Sequence, residues 1–383
     1  MTDQNVLLAR AARVLPGGLL GSHRSGPGLE FVVREGRGAY LYDMNGRRYL
    51  DYLLGSGPML LGHAHPAVVD AVQRQMARGT SYFIVNEPAI RLAEEIVAAV
   101  PCAEQVRYTA SGSEATFFAL RVARAYRKRD KIMKFEGGFH GTHDYVLMSV
   151  VPRSPKAFPA PMADSAGIPH VIDGEVLIAP YNDGVPLVFD EIVTGFRFAY
   201  GGAQEFYKVV PDLAAFGKVV AGGFPLACIA GPTAIMRHFD AALDGTPDYV
   251  WQAGTFNGNA IAAAAGLATL AELRKPGTYE RLFQTGARLK AGLQAAVTKH
   301  GVAAQVSGEP PVFDLFFTDR PIVDYRATLT ADRAKITRFN QELLRRGVVK
   351  AVNKIYVSLA HSDTDVAETL AIFDEVLATL ARS

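Results

Sequence analysis

Leu187-Val188-Phe189-Asp190-Glu191-Ile192-Val193, followed by Leu213-Ala214-Ala215-Phe216-Gly217-Lys218-Val219-Val220-Ala221-Gly222-Gly223, is the stretch whose reading decides the fold. Each half opens as a short run, apolar throughout, and ends in a polar residue: an acid in the first, a lysine among glycines in the second. Runs of this kind are strands buried on both faces of a mostly parallel sheet. The pair predicts a carboxylate and an amine delivered to one sheet edge.

Further short strands are expected at 105–109, 131–135, 176–180 and 226–230, alternating with helical or loop segments. That alternation predicts an α/β protein whose large-domain sheet is mostly parallel and flanked by helices. Helices are expected from Pro66 to Gly79 and over 87–100. Residues 30–52 alternate around Asn45-Gly46, a two-residue hairpin signal. Beyond Tyr279 come a helix, a strand at 312–317, a helix at 331–346, a strand at 355–360 and a last helix. The last helix is headed by Ser362-Asp363-Thr364-Asp365, a side-chain cap with acids in the first turn. The expected division is therefore 1–52 as an N-terminal segment and hairpin joining the small domain, 53–278 as the large domain, and 279–383 as a smaller α+β domain. Residues 136–174 carry Pro152, Pro155, Pro159, Pro161 and Pro169 with little periodicity, and read as a gate over the active site. One connection does not fit: only residues 181–186 separate two apolar runs, whereas parallel strands need a crossover of roughly a dozen residues or more.

The chain has 383 residues, 49% of them hydrophobic, ample for a sizeable core. Its longest apolar stretch, 260–273, is short of the roughly 20 residues a membrane span needs. The amino terminus lacks the apolar core of a secretion signal, so a cytoplasmic address is expected. Forty basic against 38 acidic residues argue against a nucleic-acid footprint; the cluster at Arg121, Arg124, Arg127, Lys128, Arg129 and Lys131 reads as a solvated helix face. Cys102 and Cys228 have no zinc or disulfide spacing. His63-Ala64-His65 and His140-Gly141-Thr142-His143 lack an acidic or cysteine partner at ligand spacing, so no metal is expected.

Ser111-Gly112-Ser113-Glu114-Ala115 follows a strand and opens a helix, so its backbone N–H groups and two hydroxyls suit a phosphate. The same residues also form an ordinary cap. Gly254-Thr255-Phe256-Asn257-Gly258-Asn259 precedes the next Ala-rich helix with the same physics. Phe139-His140-Gly141 sets an aromatic at a strand end, where it can stack on a flat ring. Lys218, between an apolar strand and Val-Val-Ala-Gly-Gly, sits where desolvation favours the neutral amine that Schiff-base formation requires. Taken singly, Lys218 reads as a surface lysine and Asp190 as a strand-end cap. Taken together, these parts match the requirements of pyridoxal 5'-phosphate. Lys218 would bind the aldehyde, Asp190 would hold the pyridine nitrogen protonated, and Phe139 would cover one ring face. Ser111, Gly112 and Ser113 would hold the phosphate, and His140 joins them among the cofactor-binding candidates.

At this point the chain resembles the class III, fold type I, pyridoxal-phosphate aminotransferases, and most of all their glutamate-1-semialdehyde 2,1-aminomutase branch. The resemblance rests on Pro16-Gly17-Gly18, Gly57-Pro58-Met59 with Gly62-His63-Ala64-His65-Pro66, Ser111 to Ala115, Phe139-His140-Gly141, Asp190-Glu191-Ile192-Val193-Thr194-Gly195-Phe196-Arg197, Gly201-Gly202-Ala203-Gln204, Pro211-Asp212-Leu213, Gly217-Lys218 and Gln252-Ala253-Gly254-Thr255. It implies that Ile192 packs on the ring face opposite Phe139. It also implies that Thr255 reaches the phosphate held by a neighbouring subunit, hence a homodimer with shared active sites acting on small amino and keto substrates.

The chain departs from that branch in places. Leu19-Leu20-Gly21-Ser22-His23-Arg24 keeps only the arginine of the family's run, and Arg24 is a candidate for a substrate carboxylate. Ser56 stands where the branch has tryptophan, and Val352-Asn353-Lys354 replaces Gln-Phe-Glu. Ser56 and Trp251 complete the substrate candidates. These changes favour an aminotransferase, with an aminomutase, or an impaired relative acting as a binding protein, as the alternatives. The family also has a helix, a strand and a further helix between the counterparts of Asn182 and Leu187, on the roughly 30-residue scale of a βαβ motif. That βα segment, with the asparagine that bonds the cofactor's phenolic oxygen, is missing here.

Overall fold

The computed structural model describes residues 3–21, 24–180 and 187–382. The chain divides into two compact units, Met1–Pro66 with Pro276–Ile322 and Thr330–Ser383, and Ala67–Lys275 with Val323–Leu329. Their boundaries fall at Pro66 and Pro276, beyond the hairpin and just before Tyr279. Asn182 and the short connection 181–186 lie outside the described residues. No helix among the described residues is long and apolar enough to cross a membrane.

In the first unit, strands Val33–Arg37, Tyr40–Asp43 and Arg48–Tyr52 run antiparallel in sequence, and Val348–Lys350 adds to Arg48–Tyr52 in parallel. The Asn45-Gly46 turn is wider than the two-residue hairpin expected. Asp43 Oδ1 accepts the N–H groups of both Asn45 and Arg47, and Gly46 N–H donates to the Asp43 carbonyl. The result is a three-residue loop with a left-handed glycine at its end, Gly46 φ +85°. The helix Asp363–Ala381 starts with a reciprocal box between Ser362 and Asp365.

The second unit holds the functional residues. Its four-stranded sheet runs Gln105–Thr109, Ala227–Gly231, Leu213–Phe216, Val188–Glu191. Val188–Glu191 and Leu213–Phe216 are parallel, whereas Ala227–Gly231 opposes both its neighbours. A separate parallel ladder pairs Ile132–Phe135 with Val176–Ala179. The helix Gly112–Arg127 packs Ala115, Ala119 and Val122 against Leu213, Ala215, Ala227 and Ile229. Helix Ala260–Leu273 packs against Glu87–Ala99 and against the short 3-10 turn Lys218–Ala221.

The segment 136–174, expected as a gate, is anchored at Met148 and Ile172, while most of 153–171 between those anchors is exposed. Met148 and Ile172 are buried with Ile132, Val176 and Ile178, and Lys134 Nζ donates to the Met148 carbonyl at 2.6 Å. The prolines hid these anchors because they break the periodicity that would have marked them. The basic cluster is a solvated face as expected: Arg121, Arg127, Lys128, Arg129 and Lys131 are exposed and only Arg124 is half-buried, its guanidinium 4.1 Å from the Tyr145 ring centroid.

Candidate active site

Parallel register pairs Asp190 with Ala215 and Glu191 with Phe216. Asp190 and the Gly217-Lys218 step therefore leave adjacent strands at one carboxyl-terminal edge, with the strands about 4.8 Å apart. Lys218 is half-buried and has φ +51°. Lys128 and Lys208 share a positive φ, but both close α-helices. Lys218 instead opens a 3-10 turn, after Gly217 and before left-handed Gly222. A left-handed non-glycine residue of this kind costs about 1–3 kcal/mol and concentrates at functional sites.

Asp190 is oriented by two donors. His140 Nδ1 lies 2.8 Å from its Oδ2, and the Ile192 N–H donates to Oδ1 at 3.0 Å. Both side chains are largely covered, 17% exposed for Asp190 and 29% for His140. With each carboxylate oxygen accepting once, lone pairs remain for one further partner.

The turn that carries His140 is docked on the start of the helix Gly112–Arg127. Thr116 Oγ1–H donates to the His140 carbonyl at 2.6 Å, and the Thr142 N–H donates to Ser113 Oγ at 3.2 Å. Gly141 permits this approach: its φ is +106°, and a Cβ there would sit 2.8 Å from Ser113 Cα and Oγ. Ile192 joins the remaining parts, its Cδ1 being 3.1 Å from where a Cβ would stand on either Gly112 or Gly217. The helix start, the His140 turn, the Asp190 strand end and the Lys218 turn thus converge.

Ser111 caps the helix, its Oγ accepting the Glu114 N–H at 3.3 Å, and Glu114 in turn accepts the Ala110 N–H. Gly112 and Ser113 occupy the first two helical positions, whose N–H groups precede the intrahelical ladder and lie at the positive end of the dipole. Phe139 presents its ring, 60% exposed. Thr255 and Trp251 are exposed in the same unit. At the second expected anion site Asn259 Oδ1 accepts the Ile261 and Ala262 N–H groups, leaving only the Ala260 N–H of that first turn uncapped by it. Arg24 and Ser56 belong to the first unit, where Ser56 has φ +68°.

Three residues of this constellation escaped the reading of the sequence. Thr116 and Thr142 tie the His140 turn to the helix, and isolated threonines leave no pattern. Glu191, almost fully buried, accepts from Thr194 Oγ1, the Ala203 N–H, the Gln204 N–H and Gln204 Nε2. It anchors the loop after Asp190, and the close approach of left-handed Gly202 to its carboxylate is the signal that marks it. Among the described residues no group of three His, Cys, Asp or Glu side chains is arranged to hold a metal.

Comparison with known proteins extends this geometry. A family model described as aminotransferase class-III matches residues 21–175 and 176–377. The glutamate-1-semialdehyde 2,1-aminomutase of Methanothermobacter thermautotrophicus is 37% identical over 424 aligned positions, covering 98% of each chain. That of Desulfitobacterium hafniense strain DCB-2 is 36% identical, covering 97% of each. Among solved structures, an omega-transaminase from Sphaerobacter thermophilus superposes with a TM-score of 0.93 at 30% identity, over 100% of this chain and 98% of its own. A transaminase with PLP bound superposes with a TM-score of 0.88 at 25% identity, over 99% and 98%. An alignment of 424 positions against 383 residues leaves at least 41 with no counterpart here. The family match is itself interrupted between residues 175 and 176, close to the connection that is too short.

Proposed function

Because the chain belongs to the class III aminotransferases, enzymes that depend on pyridoxal 5'-phosphate, we propose that it moves an amino group from an amino acid or amine to a keto acid, with Lys218 and Asp190 as its catalytic residues. The observation that carries this reading is the parallel register that brings Asp190 and the Lys218 turn to one edge, beside a helix start.

The residues present fit the cofactor. Gly112, Gly141 and Gly217 let the helix start, the His140 turn, the Lys218 turn and Ile192 close on one another, which brings the parts a flat phosphorylated ring needs within reach of one ligand. The hydroxyls of Ser111 and Ser113, with the Gly112 and Ser113 N–H groups, hold its phosphate. Phe139 and Ile192 would pack against its ring. Bound there, pyridoxal phosphate supplies a conjugated ring that takes up the electron pair left when the substrate's Cα–H bond breaks. Asp190, steered by His140 and the Ile192 N–H, keeps a proton on the pyridine nitrogen. Lys218 would serve as the general base that takes the substrate's Cα proton and as the general acid that gives it back. Arg24 pairs with a substrate carboxylate, and Ser56 and Trp251 shape the substrate side.

A homodimer is part of the same proposal, with Thr255 serving the partner's phosphate. Its support is the exposed apolar run Tyr82, Phe83, Ile84 and Val85, together with exposed Trp251 and Phe256. Light scattering that gives a monomer mass at assay concentration would refute it.

The test is spectroscopic. Protein reconstituted with the cofactor should be coloured, and a productive amine should shift its absorbance without any keto acid. Lys218→Ala should lose both properties. Protein that stays colourless in excess cofactor ends this reading. A second reading, an aminomutase of the glutamate-1-semialdehyde type, draws on the names of the curated relatives at 33–37% identity. Multiple turnovers of one substrate with no keto acid added would favour it.

A further inference from the structure

Residues Val323–Leu329 belong to the second unit, although the chain on either side of them belongs to the first. Within this excursion lies a single helical turn, Tyr325–Thr328, capped by Asp324, whose Oδ1 accepts the Ala327 N–H at 2.7 Å. Arg326 reaches from it to Glu136. Its Nε–H donates to Oε2 at 2.7 Å and its Nη2–H to Oε1 at 3.2 Å, a two-pronged grip on a carboxylate that is only 6% exposed. The same Nη2 donates to the Lys156 carbonyl at 2.7 Å, and the guanidinium lies 4.1 Å from the Phe158 ring centroid. The Tyr325 ring occupies the space a Cβ on Gly137 would need, and its hydroxyl donates to the Pro152 carbonyl at 3.4 Å.

Glu136 opens the turn Glu136-Gly137-Gly138-Phe139-His140, which ends at the Asp190 contact. Two successive glycines, Gly137 at φ +80°, give the turn little stiffness of its own. The Gly137 N–H donates to the Ser149 carbonyl at 2.9 Å and the Gly138 N–H to the Phe135 carbonyl at 3.2 Å, and the rest of its course is set at its ends. At the far end Thr116 and Asp190 hold His140; at the near end the Glu136 N–H donates to the Ala179 carbonyl, and Arg326 and Tyr325 fix the rest. A planar fork fixes direction as well as distance, which a lysine ammonium does not.

We infer that Arg326 is a positioning residue for the Asp190 site: by gripping Glu136 it sets the turn that aims His140 at Asp190 and presents Phe139. The inference rests on the pyridoxal-phosphate reading of that site.

The test combines Arg326→Ala, Arg326→Lys and His140→Ala in the full-length protein, reading cofactor affinity by titrating the apo form with pyridoxal phosphate, kcat and KM, and thermal unfolding. Arg326→Ala should weaken cofactor affinity about tenfold, the scale of one charge-assisted hydrogen bond, and lower kcat more than it raises KM. Arg326→Lys should recover only part of the loss. Adding Arg326→Ala to His140→Ala should cost less than it does in the parent protein, because the His140 contact is then already gone and only the placement of Phe139 is left to lose. Fully additive losses, or a lower melting temperature with cofactor affinity and kcat unchanged, would overturn the inference. Should Arg326→Ala fail to fold, an Arg326→Lys enzyme with wild-type affinity and kcat overturns it equally. Wild-type protein that does not bind the cofactor would defeat the reading of the site instead.

Discussion

Gly266→Ala is the sharpest test of how Lys218 is held. Gly266 lies inside the helix Ala260–Leu273, where alanine is worth about 1 kcal/mol more than glycine. A Cβ there, however, would fall on the Val220 carbonyl oxygen, far inside van der Waals contact, with Leu92 Cδ2 also only 3.2 Å away. Val220 belongs to the turn Lys218–Ala221, and its carbonyl is backbone that cannot rotate aside. Helix and turn must separate by about 1 Å to restore an ordinary contact. Overpacking of this kind costs about 1–3 kcal/mol, so the net change runs from neutral to about 2 kcal/mol destabilising. On a unit of this size that is a fall in melting temperature of a few degrees, at about 2–4 °C per kcal/mol.

The functional effect should be larger than the stability effect. A 1 Å displacement of a reacting group can cost about 100-fold, or about 2.7 kcal/mol in the barrier. The assay pairs a thermal scan with the single-turnover reaction of the reconstituted enzyme with an amine. Gly286→Ala is the control: its Cβ would strike the Pro310 carbonyl just as hard, but in the other unit, so it should lower the melting temperature and spare the rate of the folded enzyme. A Gly266→Ala enzyme with a raised melting temperature and an unchanged rate would refute the reasoning, since the helical gain would then act unopposed.

Two further outcomes follow from the same structure. Gly141→Ala combines a positive φ with a Cβ 2.8 Å from Ser113, so cofactor affinity measured by titration should fall while Gly28→Ala, at a left-handed position with nothing nearby, should leave it alone. Burial holds the imidazoles of His143 and His361 down at about 4, against 6.5 in an unfolded chain. Both groups therefore bind protons in the unfolded state before they do in the folded one, and the stability they permit at neutral pH is lost as pH falls from 6.5 towards 4, by up to about 3 kcal/mol for the fully buried His361. Urea unfolding across that range should show this slope, and His361→Gln should flatten it.

Much of the fold is legible in the sequence where local physics is decisive. The strand Leu213–Phe216 coincides with its apolar run, which Asp212 and Gly217 bound, and Gln105–Thr109 forms where a strand is expected. The direction of Ala227–Gly231 is not carried by periodicity. It is set by the connection, since residues 217–226 fall short of the roughly dozen that a parallel crossover needs. The turn at Asn45-Gly46 was obscured by Asp43, whose carboxylate draws in two backbone N–H groups and widens the loop. In the site, Asp190 and Lys218 are legible because a sheet edge and a run length place them. The threonines and Glu191 are not, because their role exists only once separate segments meet.

The His140–Asp190 bond has a second task. Among the described residues, Val188–Glu191 pairs only with Leu213–Phe216, and the ladder of Ile132–Phe135 with Val176–Ala179 forms a sheet of its own. Val188, Phe189 and Asp190 are half-buried, whereas Leu213–Phe216 is buried throughout. An edge strand with one neighbour opens more readily than a central one, because fewer backbone bonds and less apolar burial oppose it. His140 follows Ile132–Phe135, so its contact with Asp190 ties one sheet to the other. Removing it with His140→Ala should release the strand as well as the carboxylate. Hydrogen exchange at 188–191 should then quicken by about tenfold for each 1.4 kcal/mol of lost local stability, while exchange at 213–216, covered on both sides, should stay slow. Equal protection of 188–191 in His140→Ala and the parent protein would mean that the strand is held by its pairing with Leu213–Phe216 alone, and that His140 serves only the carboxylate.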